Sequence, residues 1–337
     1  MRFRNFKVLR DTQLPLGRFT LIVGPNGSGK STVMQALCAV GQPGRGGLGQ
    51  VETLGFIPMD TETVEVILHW GGAYEGVVTI TRWAPGGRGQ SHSKCPGENL
   101  PEREAQSLNA KLAGVRIYSL HTNAIASPVE LSPHPELRED GGAFAGVLDQ
   151  LRDREPERFE ALNEELGRWL PEFDRILFDT PSSGNRAFLL RTRKGHHALP
   201  ATDLSQGTLL ALTILTLAYL PAPPPIICFE EPDRGIHPRL LRHVQDALYR
   251  LSYPESAGEV RQPVQVLATT HSPYFLDLFR DHPEEIVIAH KVGQEARFER
   301  LSDQPAIAEM LGEAPLGEIW YSGILGGVPG FQMVLEL

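Results

Sequence analysis

The chemistry in this sequence concentrates in the eight residues 24–31, GPNGSGKS. The spacing GxxxxGK[ST] is that of a glycine-rich loop whose backbone N–H groups, with the following helix N-terminus, surround phosphates. Lys30 would reach the β and γ phosphates, and the Ser31 hydroxyl would hold Mg2+. Gly24, Pro25, Asn26, Gly27, Ser28, Gly29, Lys30, Ser31 and Thr32 are therefore the candidate nucleotide-binding residues, with ATP and Mg2+ as the implied cofactors.

Three further groups have the residue types a phosphate site needs. Residues 226–231, IICFEE, read as an apolar strand ending in two adjacent carboxylates. Beside a phosphate loop, Glu230 would bind Mg2+ and Glu231 would orient or deprotonate the attacking water. In isolation such a pair is an ordinary strand-to-loop feature, and its place after a phosphate loop is what gives it meaning. Residues 203–208, DLSQGT, precede an apolar helix, so Ser205, Gln206 and the N–H of Gly207 at the helix's positive end can form a second anion site. Taken alone, that segment is a plain helix cap. His271, in TTHSP at the end of a buried strand, can hydrogen-bond a γ-phosphate or the attacking water, or simply cap the strand.

The elements that must position these residues follow from pattern. Residues 18–23 read as a buried strand and 31–40 have helical apolar spacing, which sets the loop between strand and helix. Residues 41–50 are a glycine-rich connection, 63–69 and 76–82 read as paired strands, and 84–101, rich in Gly, Pro and Ser, reads as a mobile surface insertion. Two helices are expected within 143–170, the second opening at Pro156 with Glu157 in its first turn. Strands near 175–178 and 187–191 precede an apolar helix over 203–220, which ends in PAPPP and feeds the strand 226–229. Strands at 264–268 and 285–289 flank a helix at 272–279. This alternation predicts an α/β fold, a P-loop NTPase with a mostly parallel central sheet, an antiparallel β subdomain and a small helical lobe. The expected organisation is a single domain, 1–337, with an N-terminal lobe (1–120), an inserted helical lobe (121–202) and a C-terminal lobe (203–337).

In this order, GPNGSGKS, LSQGT, FEEPDRGIHP and TTHSP resemble the ABC-type ATPase heads of the SMC/RecF/OLD-like superfamily, as does the opening RFRNFKVLRDTQLPLGRFTLIV. The compact ATPases of the AAA_21 kind are closest in form, and LGEIWYSGILGG at 316–327 is similar to their last motif block. The resemblance covers both ends of the chain well and residues 41–186 poorly. It implies an ATPase of ABC type with Lys30 and Ser31 as Walker A residues, Glu230 as the Walker B acid and Glu231 as catalytic base. It further implies His271 as switch histidine, Asp233 as D-loop residue, and Ser205, Gln206 and Gly207 as the signature. The implied assembly is a homodimer formed around ATP, with a protein effector such as a nuclease and possibly DNA as partners, in repair or anti-phage defence. The sequence departs from transporter cassettes in reading LSQGT for LSGGQ and in carrying Glu230 where Asp is commoner. Gln50 and the run His121-Thr122-Asn123 are alternative candidates for the Q-loop.

Composition narrows the alternatives. The 337 residues are 41% hydrophobic and 22% charged, an ordinary balance for a globular protein with a substantial core. The apolar run 209–220 is too short to span a bilayer, and MRFRNFKVLR lacks the apolar region of a signal peptide, so a cytoplasmic protein without membrane contact is expected. Cys38, Cys95 and Cys228 form no CxxC pair, which argues against a disulfide framework or zinc site. A net charge of -9 excludes a surface that is basic all over, leaving local clusters at Arg2, Arg4, Lys7, Arg10 and at Arg186, Arg191, Arg193, Lys194. The stretch between Lys30 and Ser205 is short for a long coiled coil and 66 residues follow His271, so neither a long coiled coil nor a Toprim-like nuclease region is expected. Two other functions share the motifs: the nucleotide-binding subunit of a membrane transporter, and an ATP sensor that barely hydrolyses.

Overall fold

Fifteen strands and ten α-helices occur among the residues described by the computed structural model, which are 1–42, 63–84, 89–95, 100–305 and 307–325. A hairpin of β1 (Arg2–Phe6) and β2 (Leu9–Gln13) precedes β3 (Phe19–Val23) and α1 (Lys30–Gly41). Next come β4 (Val64–His69), β5 (Val78–Trp83), β6 (Gln90–Lys94), α2 (Glu102–Ala113) and β7 (Val115–Tyr118). The middle holds α3 (Thr122–Ala126), β8 (Val129–Glu130), α4 (Phe144–Arg154), α5 (Pro156–Trp169), β9 (Phe173–Asp179), β10 (Asn185–Thr192) and β11 (Ala198–Pro200). Then follow α6 (Gln206–Tyr219), β12 (Ile226–Glu230), α7 (Pro238–Ser252), β13 (Gln265–Thr270) and α8 (Pro273–Asp277). The last elements are β14 (Ile286–Val292), β15 (Glu295–Arg300), α9 (Ile307–Glu313) and α10 (Leu316–Tyr321).

The chain forms two compact units, one of Met1–Arg116 with Leu267–Leu337, the other Ile117–Val266. In the first, strands run in the order β15-β14-β3-β13, with β14 parallel to β3 and antiparallel to β15. All five residues of β3, FTLIV, are buried, as expected of a strand covered on both faces. Phe19 stacks on Phe279 at 5.1 Å between ring centroids, filling the space beside the strand's start. A second sheet in this unit has the order β2-β1-β4-β5-β6 and is antiparallel throughout. The fold is thus α/β with an antiparallel β subdomain, as the sequence predicts.

Within the surface insertion expected over 84–101, residues 90–94 form an exposed edge strand, β6, that pairs with β5 and that the sequence pattern did not show. The strand was hidden because its inward contacts are hydroxyls rather than hydrocarbon. Ser93 shares a 2.6 Å hydrogen bond with Thr79, and Thr81 donates to Ser91 at 3.0 Å, which pairs the threonine hydroxyls of β5.

In the second unit, α5 opens with Pro156 at N1 and α7 with Pro238 at N1, where the missing N–H is one that helix geometry leaves unpaired in any case. On α7, Leu241, Val244, Leu248 and Leu251 recur at helical spacing and are buried. Helix α6 is buried from Thr208 to Tyr219. Its leucines and isoleucine each contribute about 1.5–3 kcal/mol by leaving water. Its buried threonines remain satisfied because Thr213 and Thr216 donate to the Leu209 and Leu212 carbonyls at 2.8 Å. Pro221 follows closely and helps end the helix. Cys228 is fully buried in β12.

Candidate functional site

Residues 24–31 leave β3 and enter α1 through a loop that glycine makes possible. Gly27 and Gly29 are left-handed, at φ 76° and 91°. A Cβ at Gly24 would lie 2.3 Å from the Ala289 carbonyl oxygen of β14, so the loop's first residue can carry no side chain. Helix α1 starts with no side-chain cap and no acidic residue in its first turn. Its first N–H groups and positive dipole end are thus left to an external anion. Lys30 is buried and its ammonium folds back onto the loop, donating to the Gly24 carbonyl at 2.8 Å and the Pro25 carbonyl at 2.9 Å. The Ser28 hydroxyl is fully buried and has no hydrogen-bond partner. Unclaimed donors around a lysine are what a polyphosphate would satisfy, and the loop fits one.

His271 belongs to the same unit and directly follows β13. The Thr270 hydroxyl accepts from the Ser272 N–H at 2.9 Å, and Ser272 in turn caps α8 by accepting from Phe275 N–H at 3.2 Å. The later block 316–327 braces this corner, since a Cβ at Gly317 would lie 2.5 Å from the Pro273 carbonyl oxygen and Asp277 accepts from the Leu316 N–H at 2.9 Å. Gly326 and Gly327 of that block lie outside the described residues.

The second unit carries the other predicted residues. Ser205 is the N-cap of α6: its hydroxyl oxygen accepts from the Thr208 N–H at 3.1 Å. Ser205 and Gln206 are exposed, and the first turn contains no acid, so this 14-residue helix also presents a free positive end. Strand β12 buries Ile226 through Phe229 and delivers Glu230 at its last position. Glu231 is left-handed, at φ 49°, an arrangement a non-glycine residue adopts only when its surroundings impose it. Its carbonyl accepts from the Arg234 N–H at 2.9 Å, and that of Asp233 accepts from the Ile236 N–H at 3.2 Å, so the acid pair runs into a closed turn.

A cavity of about 120 Å³ in this unit brings Glu230 and Glu231 together with Gln206, Arg234, His121 and Thr122. Sequence reasoning did not assign Arg234, and it left His121-Thr122 as one of two alternatives; the cue for both is spatial, since their segments are far apart in the chain. Gln50, the other alternative, lies outside the described residues. A larger cavity, about 750 Å³ and lined by Arg2, His69, Phe298, Arg300 and Asp303 among others, contains none of the predicted residues.

The basic cluster over 186–194 is largely spent internally. Arg191 grips Asp174 through two hydrogen bonds of 2.8 and 3.1 Å, Arg186 pairs with Asp149 at 3.1 Å, and Arg193 donates to the Pro171 carbonyl at 2.9 Å. At the chain start, Arg2 grips Asp11 and Arg4 bonds Glu65. Burial lowers the pKa of Lys7, whose ammonium bonds Gln35. Among the described residues no three His, Cys, Asp or Glu side chains form a metal cage. Mg2+ is commonly held by one or two carboxylates, phosphate oxygens and water, and Ser31 in the first unit and Glu230 in the second each offer an oxygen of that kind.

The profile of the family described as "AAA domain, putative AbiEii toxin, Type IV TA system" matches residues 91–277, more than half of the chain. The chain belongs to this AAA_21 family. A profile described as AAA ATPase domain matches residues 1–43, which hold the phosphate loop. This AAA_21 chain is also 23% identical over 334 residues to the OLD nuclease of Thermus scotoductus, covering 83% of the chain and 60% of that protein. It therefore spans about three fifths of that relative's length. Among solved structures it is similar to the SMC head domain from Thermotoga maritima, with 15% identity, 89% and 97% of the two chains covered and a TM-score of 0.49. It is also similar to MJ0796, a bacterial ABC transporter cassette described as dimeric, with 14% identity, 89% and 98% coverage and a TM-score of 0.38. Both profiles that match this AAA_21 chain are of AAA domains. Among its described residues no helix is long and apolar enough to cross a membrane.

Proposed function

We propose that this protein binds Mg-ATP on residues 24–32, hydrolyses it, and in doing so forms a homodimer that governs an effector. The observation that carries this reading is a pair of helix starts on different units with no acid in the first turn: α1, with no side-chain cap, Lys30 and an unpartnered Ser28 hydroxyl, and α6, with exposed Ser205 and Gln206. Each is an anion site by its dipole and free N–H groups. A triphosphate held by α1 of one copy and met by α6 of another uses both.

When bound, ATP supplies the phosphoanhydride that is cleaved, and Mg2+ neutralises its β and γ oxygens. Lys30 would exchange its two loop carbonyls for phosphate oxygens, and the Ser31 hydroxyl and Glu230 would hold the metal. Glu231 would take the proton of the attacking water as general base. His271 would hydrogen-bond the γ-phosphate, and His121-Thr122, which share the cavity of the acid pair, would order water beside it. Asp233 would face the second copy as the D-loop residue. The OLD relative's name supports a nuclease as the effector, and the proposed setting is action on DNA in repair or anti-phage defence.

Glu231→Gln tests the reading. It keeps shape and hydrogen bonding while removing the base, so hydrolysis should slow by roughly 10²- to 10⁴-fold. ATP then persists, and light scattering after size exclusion should report an Mg-ATP-dependent dimer more stable than wild type. Adding Ser205→Arg should abolish the dimer. A Glu231→Gln protein that stays monomeric at saturating Mg-ATP would refute the dimer.

A further inference from the structure

Gln206 stands where transporter signatures carry glycine, and a specific neighbour accounts for it. A Cβ at Gly235 would lie 2.9 Å from both Cδ and Nε2 of Gln206, so the carboxamide rests on the bare Cα of Gly235. A Cβ at Gly207 would lie 3.0 Å from the Gly235 carbonyl oxygen. Gly235 is itself left-handed, at φ 73°, within the turn that begins at Glu231. The first turn of α6 and the turn after β12 thus fit through two glycines and one amide. The same turn holds Glu231 at φ 49°, a strained conformation for a residue with a side chain that persists where the surroundings enforce it.

We infer that Gln206 is a positioning residue for Glu231, acting through Gly235. Its carboxamide holds the turn of residues 231–236 in the shape that aims Glu231, so occupation of the Ser205–Gly207 corner by a phosphate is felt at the catalytic base of the same chain. This rests on the proposed ATP-driven dimer for its trigger but not for the contact itself. A glutamine at position 206 and a glycine at 235 form one complementary pair.

The test has two readouts. In steady-state ATPase assays Gln206→Ala lowers kcat about tenfold while KM stays within about twofold, because the base loses its aim and the nucleotide keeps its ligands. Gln206→Met, which restores bulk over Gly235, recovers most of that loss relative to Gln206→Ala. In urea denaturation of the nucleotide-free chain, Gly235→Ala is destabilised by its added Cβ, and combining it with Gln206→Ala gives less than the sum of the single effects. Additive effects on stability would show that the two residues do not touch functionally and would overturn the inference whatever the oligomeric state. A KM that rises with kcat unchanged would make Gln206 a nucleotide ligand and overturn it equally. Loss of the Glu231→Gln dimer, by contrast, would strike the proposed function and leave the stability cycle to decide this one.

Discussion

Replacing Lys30 by alanine separates two contributions that the structure assigns to one ammonium group. Without nucleotide, the Lys30 Nζ donates to the Gly24 and Pro25 carbonyls at 2.8 and 2.9 Å and is 7% exposed. A hydrogen bond from a charged donor is worth about 1.5–3 kcal/mol. Two such bonds would reach about 3–6 kcal/mol, but water can enter the emptied site and rehydrate both carbonyls, so about half of that should survive. Lys30→Ala is therefore expected to lose about 1.5–3 kcal/mol in urea denaturation without nucleotide. The second contribution is linkage: ATP at 100 times its Kd stabilises the wild-type fold by about 2.7 kcal/mol. The variant should gain almost none of that at the same concentration, since the cation meeting the β and γ phosphates is gone. A nucleotide-free Lys30→Ala as stable as wild type would show that the ammonium is not held by the loop. Full stabilisation of the variant by Mg-ATP would refute residues 24–31 as the phosphate site.

Two further outcomes follow from charges placed by the fold. Glu259 accepts from Arg250 at 2.8 Å and from Arg261 at 2.6 Å; burial alone would push its carboxyl up, but these arginines overcome that and hold it below the usual carboxylate range. A depressed carboxyl contributes stability that is complete above about pH 4.3 and is lost as pH falls through the folded value. Glu259→Gln should cost about 2–3 kcal/mol at pH 7 in chemical denaturation, with the gap to wild type closing below about pH 4; a gap that is constant down to pH 3 would contradict the ion-pair account. Neutralising Arg191 and Lys194 to glutamine should change DNA affinity less than about threefold at 0.15 M salt, because Arg191 is committed to Asp174 and exposed charges are screened at that ionic strength. Filter binding that shows a salt-resistant complex abolished by the pair would overturn it.

What could be read in advance was local structure written in contiguous residues. The phosphate loop, the two acids after an apolar strand and the capped apolar helix each need only local spacing, because backbone turns and helix starts are local physics. The loop's buried strand was legible for the same reason: FTLIV is apolar on both faces. Strand β6 escaped because its pattern, QSHSK, satisfies itself through hydroxyl pairs with Thr79 and Thr81, so a rule that looks for hydrophobic alternation sees only a polar insertion.

Contacts between distant segments escaped for a different reason. No periodicity links Gln206 to Gly235 or Gly317 to Pro273, where two elements approach until a hydrogen is all that fits, and none links His121 to Glu231, which line one cavity. Spacing names the groups that would touch phosphate, while the neighbours that fix their orientation are set by packing. A phosphate loop works with its own residues alone, yet a general base, the role proposed for Glu231, must point at one water molecule to within a fraction of an ångström. That demand falls on the turn behind it, and the turn is built from Gly235 and the side chain laid over it. The departure at Gln206 from the transporter signature therefore carries information of its own, because it records which surface the signature leans on in this family member.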